Sequence, residues 1–226
     1  MNKIILFFND LPYALWDRIP ASVTSTLLLY LVVCSAGFWL LNKNKNALRL
    51  SLFSLLAFTF LTAYSKWNIA HQEKIIVYNV PKYQAIDFVN GSNYRFIGDS
   101  VLFTEGMLQN FHIKPGRIAL QLNNNKVEGT LFQNNYFFYF KDKILLLLDS
   151  SIAYKPLLQK INVDIIIISK SPALQMSQLA SVFQCGQYIF DASNSLWKIG
   201  KWKKDFERLH LPFYSVPEQG AFIIEI

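Results

Sequence analysis

The stretch Ala21–Leu41 (ASVTSTLLLYLVVCSAGFWLL) runs for 21 residues without a charged side chain. As an α-helix it extends about 31 Å, enough to cross the hydrocarbon core of a bilayer. A second run, Leu50–Tyr64, holds 15 uncharged residues; Ala47 and Leu48 extend it, and Arg49 can snorkel towards headgroups. Neither run has a charged face to meet water, so a soluble two-helix hairpin is disfavoured. Residues 21–65 therefore read as two membrane spans. Composition agrees: 52% of the 226 residues are apolar and only 16% charged, against roughly a quarter charged in soluble proteins.

Residues 1–20 do not read as a signal peptide. Lys3 precedes an apolar stretch, Ile4–Phe8, too short for an h-region, and Asp10 and Pro12 follow with no small-residue cleavage site. Leu6, Phe7, Leu11, Tyr13, Leu15 and Trp16 set among Asp10, Asp17 and Arg18 suit an interfacial segment, or an exposed fragment of something larger. Between the spans, Asn42–Arg49 carries Lys43, Lys45 and Arg49 and no acid. The positive-inside rule puts this loop in the cytoplasm and the soluble region on the other side.

Residues 74–226 read as one soluble domain of common size. Strands are expected at Lys74–Val80, Gln84–Val89 and Tyr94–Ile97, with Asn90-Gly91 as a hairpin turn. A second hairpin joins Tyr136–Phe140 to Lys143–Leu148 through Lys141-Asp142. Asp164–Ser169 is a continuous apolar strand of the kind buried on both faces. Helices are expected near Ala153–Lys160, Ala173–Phe183 and Leu196–Leu209, and closing strands at Tyr188–Asp191, Phe213–Val216 and Ala221–Ile226. Strands interleaved with helices make an α/β domain with a layered mixed sheet.

Chemical motifs are scarce. His71, His112 and His210 are scattered, and none has an acid or Cys at metal-ligand spacing. Cys34 falls mid-span and Cys185 at an expected helix end, so they form neither a disulfide nor a CxxC pair. There is no phosphate loop, dinucleotide fingerprint or G-x-S-x-G elbow. Gly98-Asp99-Ser100 follows a strand, but a Ser without a nearby His is better read as a helix cap. Trp197–His210 places Ile199, Trp202, Phe206 and Leu209 on one helical face. Lys198, Lys201, Lys203, Lys204 and Arg208 fill the rest, opposed by Asp205 and Glu207. Core packing with a solvated basic face explains this, and phosphate contact with nucleic acid or lipid headgroups is the sharper alternative.

The order of segments resembles the C-terminal part of the ComEC family, the polytopic channel for DNA uptake in natural competence. Ile75–Gly91 (IIVYNVPKYQAIDFVNG) looks like the opening strand pair of that family's metallo-β-lactamase-like domain, with Asn79–Tyr83 where the family has Asp-Val-Gly-Gln-Gly. Lys143–Asp149 resembles the strand ending in Gly-Asp, with Leu148-Asp149 in its place. Val163–Pro172 (VDIIIISKSP) sits where the family has Val-Asp, an apolar strand and His-His-Gly-Ser; Tyr188–Trp197 and Leu209–Ile226 resemble the last strands. The departures matter as much. Between Phe96 and Tyr136 the His-x-His-x-Asp-His cluster is reduced to His112, and His-His-Gly-Ser reads Ser169-Lys170-Ser171-Pro172. A Lys ammonium has no lone pair, and hydroxyls do not replace imidazoles for zinc or manganese. Asp149 and Asp191 stay as carboxylate survivors, expected to bond loop amides rather than a metal.

The resemblance implies an α/β, degenerate metallo-β-lactamase-like domain behind two membrane helices, in a multi-pass protein of the inner membrane with its soluble domain outside the cytoplasm. It implies no catalytic residue, no metal and no cofactor. Expected partners are the membrane, the remaining channel-forming membrane domain, and DNA bound without sequence preference. Two spans without a charged residue cannot themselves surround a DNA path. The alternatives are a membrane-tethered hydrolase or nuclease and a free-standing membrane-anchored adaptor. Charge alone decides little. Of the net +7, residues 1–73 hold +3 and residues 74–226 hold +4, so a pI near 9.3 is a weak nucleic-acid signature.

Overall fold

Leu, Val and Phe spread round every side of Val23–Asn42 (α1) and Lys45–Ala70 (α2), which form two long helices. The structure is a computed structural model and describes residues 22–104, 106–123, 131–150 and 159–226. The expected interfacial segment at residues 2–20 lies outside them. α1 starts at Ser22, whose hydroxyl accepts the Ser25 amide, and ends at Lys43, held in the left-handed region with its amide on the Trp39 carbonyl. A core helix of a soluble protein is mostly buried, whereas the most apolar windows of α1 and α2 are 6% and 17% buried. Where the helices meet, the buried positions are Ser35, Ser51 and Ser54. Ser35 and Ser54 return their hydroxyls to carbonyls of their own helix, which satisfies them without water. Two such helices fit a membrane protein. The second is longer than its uncharged run, because Ser65 to Ala70 continue the helix past Tyr64.

Of the described residues, those from 22 to 70 with 118–121 make one compact unit, and those from 71 to 117 and from 122 onward make the other. The second unit contains two sheets. The first is antiparallel in the order β10-β1-β2-β3, from Phe222–Glu225 (β10), Glu73–Val77 (β1), Ala85–Asn90 (β2) and Asn93–Gly98 (β3). The turn at Asn90-Gly91 is as expected, with Gly91 at φ 61° and Asn90 opposite Asn93. The second sheet runs β4-β5-β6-β7-β8-β9. Its strands are Leu131–Asn134 (β4), Phe137–Phe140 (β5), Lys143–Leu148 (β6), Ile161–Ile168 (β7), Phe183–Phe190 (β8) and Phe213–Ser215 (β9). The pairs β4–β5 and β5–β6 are antiparallel, and β6 to β9 are parallel neighbours.

The period-two alternation of side chains explains why β6 and β7 read as unbroken apolar runs. Leu145, Leu147, Ile165, Ile167 and Ile189 point at the first sheet, where they meet Ile75, Val77, Ile86 and Phe88. Phe88 lies 5.8 Å from Phe138 and 5.5 Å from Phe140 between ring centroids. The alternate residues Leu146, Leu148, Ile166, Ile168, Tyr188 and Phe190 face the other way. They are covered by Met176–Val182 (α4) and Leu196–Arg208 (α5). Ile199, Trp202 and Phe206 of α5 are buried as expected, with Phe206 5.2 Å and Trp202 5.6 Å from Phe190.

Several elements differ from the sequence-based expectation. Ala173–Phe183 shortens to α4, and β8 starts at Phe183, so Cys185 belongs to a strand rather than a helix end. β7 begins at Ile161, and β4 was not anticipated. Most of the helix expected at Ala153–Lys160 lies outside the described residues.

The outer face of the first sheet is covered locally. Register puts Asp87 beside Phe96 and Val89 beside Tyr94, all on the face opposite Ile86 and Phe88. A π-helical turn at Gln109–Ile113 leads into the short helix Lys114–Ala119 (α3), which carries Arg117 onto that face. Arg117 forms a bidentate pair with Asp87 at 2.8 and 2.9 Å and lies over Tyr94 at 4.1 Å and Phe96 at 5.0 Å. Asp87 is fully buried and also accepts the Tyr78 hydroxyl at 2.9 Å.

Candidate functional site

In a sheet with parallel strands, chemistry collects where the carboxyl ends of the strands open into loops. Here β6, β7 and β8 end at Leu148, Ile168 and Phe190, and the next residues are Asp149, Ser169-Lys170-Ser171 and Asp191. The topology therefore gathers all five survivor positions named from the sequence at one edge. It adds Asp99, which follows β3 of the other sheet, and Ser193, Asn194 and Ser195 from the loop after β8.

Asp191 is fully buried. Its carboxylate accepts the Ser169 hydroxyl at 2.5 Å, the Ser193 amide at 3.0 Å and hydroxyl at 2.5 Å, and the Asn194 side-chain amide at 3.0 Å. Burial outweighs these donors, and with Asp99 adding repulsion the carboxyl is pushed up to about 7.

Lys170 and Ser171 are consecutive residues at φ 58° and 54°, a left-handed backbone that costs non-glycine residues. The loop after β8 holds that turn from outside. Ser193 Oγ accepts the Lys170 amide at 2.6 Å, Asn194 Oδ1 accepts the Ser171 amide at 2.8 Å, and Ser171 Oγ accepts the Ser195 amide at 2.8 Å. Lys198 Nζ donates to the Ser171 carbonyl. The turn aims the Lys170 ammonium at two acids, Asp99 at 3.1 Å and Asp149 at 4.0 Å. Asp99 Oδ2 also accepts the Gln84 amide at 2.8 Å, which fixes it at the adjoining ends of β2 and β3 within the first sheet, while its pair with Lys170 reaches the loop of the second. Gly98 permits this approach: a Cβ there would come within 2.4 Å of the Gln84 carbonyl oxygen.

These residues do not fit a metal. The cation position between Asp99 and Asp149 is filled by a covalently attached ammonium, Asp191 is saturated by hydroxyl and amide donors, and the flanking groups are hydroxyls. Among the described residues no three His, Cys, Asp or Glu side chains converge on a metal-binding point. His71 follows α2, His112 lies in the π-helical turn and His210 follows α5, so the topology keeps them apart. Cys34 and Cys185 are free thiols, and burial pushes Cys185 up to about 11. Ser100 opens a single 3-10 turn, Ser100–Leu102, rather than capping a helix; the carboxylate of Asp99 is the group the site uses. A strand-end acid directly after β3 was the available signal for it.

A family model described as the ComEC C-terminal domain matches residues 75–226. The chain belongs to that family. No curated protein and no solved structure matches it. For a ComEC C-terminal domain, the basic residues of α5 are already divided by the fold. Lys203 pairs with Glu218 at 2.9 Å, Arg208 with Asp205 at 3.2 Å, and Lys198 serves the Lys170 turn. Lys201 and Lys204 stay exposed.

Proposed function

We propose that this chain is the membrane-anchored, non-catalytic C-terminal lobe of a DNA-uptake channel of natural competence, assisting passage of DNA across the inner membrane. Membership of the ComEC family and the two apolar helices support the setting. The observation that carries the non-catalytic reading is the Lys170 ammonium standing between Asp99 and Asp149, where a hydrolase of this type needs metal and water. The two packed sheets with helices outside them are consistent with a degenerate metallo-β-lactamase-like fold. In this reading the basic loop between the spans is cytoplasmic, the lobe is extracytoplasmic, and further channel helices pack beside α1 and α2.

Purified full-length chain should hold no stoichiometric zinc or manganese and cleave no DNA strand when either metal is added. Bound metal together with strand cleavage would sink the proposal in favour of a membrane-tethered nuclease. The exposed residues of α5 are proposed as sequence-blind phosphate contacts. Lys201→Glu with Lys204→Glu should leave the fold intact and lower the salt dependence of DNA binding by about one phosphate equivalent per lysine. An unchanged salt slope would leave that face merely solvated.

A further inference from the structure

We propose that the polar cavity where α1 begins and α2 ends binds the headgroup of an anionic phospholipid, with Lys66 as the cation for its phosphodiester. Such a site presupposes that α1 and α2 span the membrane, and it does not depend on any contact with DNA.

The cavity belongs wholly to the membrane unit. The short connection at Lys43-Asn44 returns α2 along α1, and between them the Ser51 hydroxyl reaches the Val32 carbonyl at 3.5 Å. The start of α1 therefore stands beside the last turns of α2, and residues 118–121 close the same corner. These three segments line a cavity of about 710 Å³, the size of a small-molecule site. Its level in the bilayer follows from the sequence. The 26 residues of α2 extend about 39 Å, against roughly 30 Å of hydrocarbon. The uncharged run stops at Tyr64, so Ser65, Lys66 and Asn68 fall among headgroups. Tyr64 and Trp67, 58% and 66% exposed, are side chains that favour that level.

Lining chemistry selects the ligand. Lys66, Asn68 and Gln121 line the cavity, and none of their side chains has a partner among the described residues. Gln121 is fixed by its backbone instead, at φ 52° with its amide on the Ile118 carbonyl at 3.0 Å. No acid occurs in residues 22–70 or 118–121, so Lys66 is the one charge in the lining. A single ammonium with amide donors, and hydroxyls from Ser25 and Ser65, matches one phosphodiester. Such a group carries one negative charge, and its other oxygens accept hydrogen bonds. A free phosphate would use only half of the site. Leu61 and Ile69 add apolar wall, and the spans leading to it expose Leu27, Leu56 and Phe60 at 63%, 66% and 65%. That surface suits acyl chains attached to the headgroup.

Full-length chain in nonionic detergent micelles should be titrated with phosphatidylglycerol, phosphatidylcholine or inorganic phosphate and weighed intact by native mass spectrometry. One phosphatidylglycerol should stay bound per chain in preference to phosphatidylcholine, and inorganic phosphate should not displace it. Lys66→Gln should weaken retention about fivefold, with Asn68→Ala and Gln121→Ala adding to the loss. Lys45→Gln, at the other end of α2, should leave it unchanged. Phosphatidylglycerol carrying a diazirine beside its headgroup needs no variant and should crosslink to residues 61–69 and 118–121. Equal retention of the two lipids, unchanged retention in Lys66→Gln, or crosslinks spread evenly along both spans would overturn the site while leaving the spans standing. Displacement by inorganic phosphate would overturn it in favour of a free anion. Absence of lipid crosslinks, with Lys66 shielded from acetylation only when another membrane protein is added, would overturn it in favour of a protein helix. Recovery of the chain as a dispersed protein without detergent would instead remove the spans themselves, which is the failure of the parent reading.

Discussion

Arg117→Ala should destabilise the soluble unit by about 3–5 kcal/mol, the usual cost of stranding one member of a buried ion pair. The size follows from what remains. Asp87 is fully buried, and without the guanidinium its carboxylate keeps only the Tyr78 hydroxyl among its side-chain donors. The loss also removes the cation from over Tyr94 and Phe96. Urea unfolding of the full-length chain in micelles, followed by tryptophan fluorescence, measures the effect. Replacing the whole set together, Tyr78→Phe with Asp87→Leu and Arg117→Met, should recover most of the loss, because no buried polar group is then left unpaired. A triple variant as unstable as Arg117→Ala would show that backbone rearrangement, rather than the stranded charge, sets the cost.

Stability should fall as pH rises from about 4 to about 8, with Asp191 a principal cause and Asp87, whose carboxyl burial also holds above the usual range, acting in the same direction. The Asp191 carboxyl is pushed up to about 7 in the folded state by burial, while in the unfolded chain it has an ordinary carboxylate value near 3.8. Between those values the native state binds a proton that the unfolded state has released. The contribution is therefore fully present below about pH 4 and is lost as pH climbs through about 7. At roughly 1.4 kcal/mol for each tenfold difference in proton affinity, the total is about 4 kcal/mol. Glu218 and Glu225 act in the opposite direction, since hydrogen bonds from Lys203 and Lys74 hold them below the usual carboxylate range. Asp191→Asn isolates its share: the variant's unfolding midpoint should decline less with pH than the wild-type midpoint, the remainder belonging to Asp87. Parallel curves for the two proteins would remove Asp191 from the account.

Much of this architecture was legible because burial leaves a period in the sequence. The hairpin at Asn90-Gly91, the strand Asp164–Ser169 and the helix Leu196–Leu209 follow from turn chemistry, two-sided burial and an apolar stripe, and all three are found, the strand within Ile161–Ile168 and the helix as Leu196–Arg208. The stretch Phe183–Gln187 was less readable. Its exposed Gln184 and Gly186 lack the apolar density of a buried strand, yet parallel pairing with Ile161–Ile165 extends β8 through them. Leu131–Asn134 was missed because an edge strand needs only one buried residue, Leu131. At the site, Asp149 and Asp191 were legible only through the family resemblance, as the carboxylates left of its motifs. The role of Lys170 was not legible, since its two acids come from 71 residues upstream and 21 residues upstream, and only the folded edge brings them together. Ser193 and Asn194 looked like a polar loop and are instead the clamp on a left-handed turn.

The pairing of β1 with β10 has a consequence for biosynthesis. Lys74 and Glu225 are joined across 151 positions of sequence, and β1 follows α2 by only two residues. During translation β1 leaves the ribosome early, yet its second neighbour arrives only when Phe222–Glu225 has been made. Until then a strand rich in isoleucine and valine has one open edge, the arrangement most prone to pairing with the wrong partner. The slow, non-local closure of the first sheet is thus the step at which nascent chains are most exposed to chaperones and proteases.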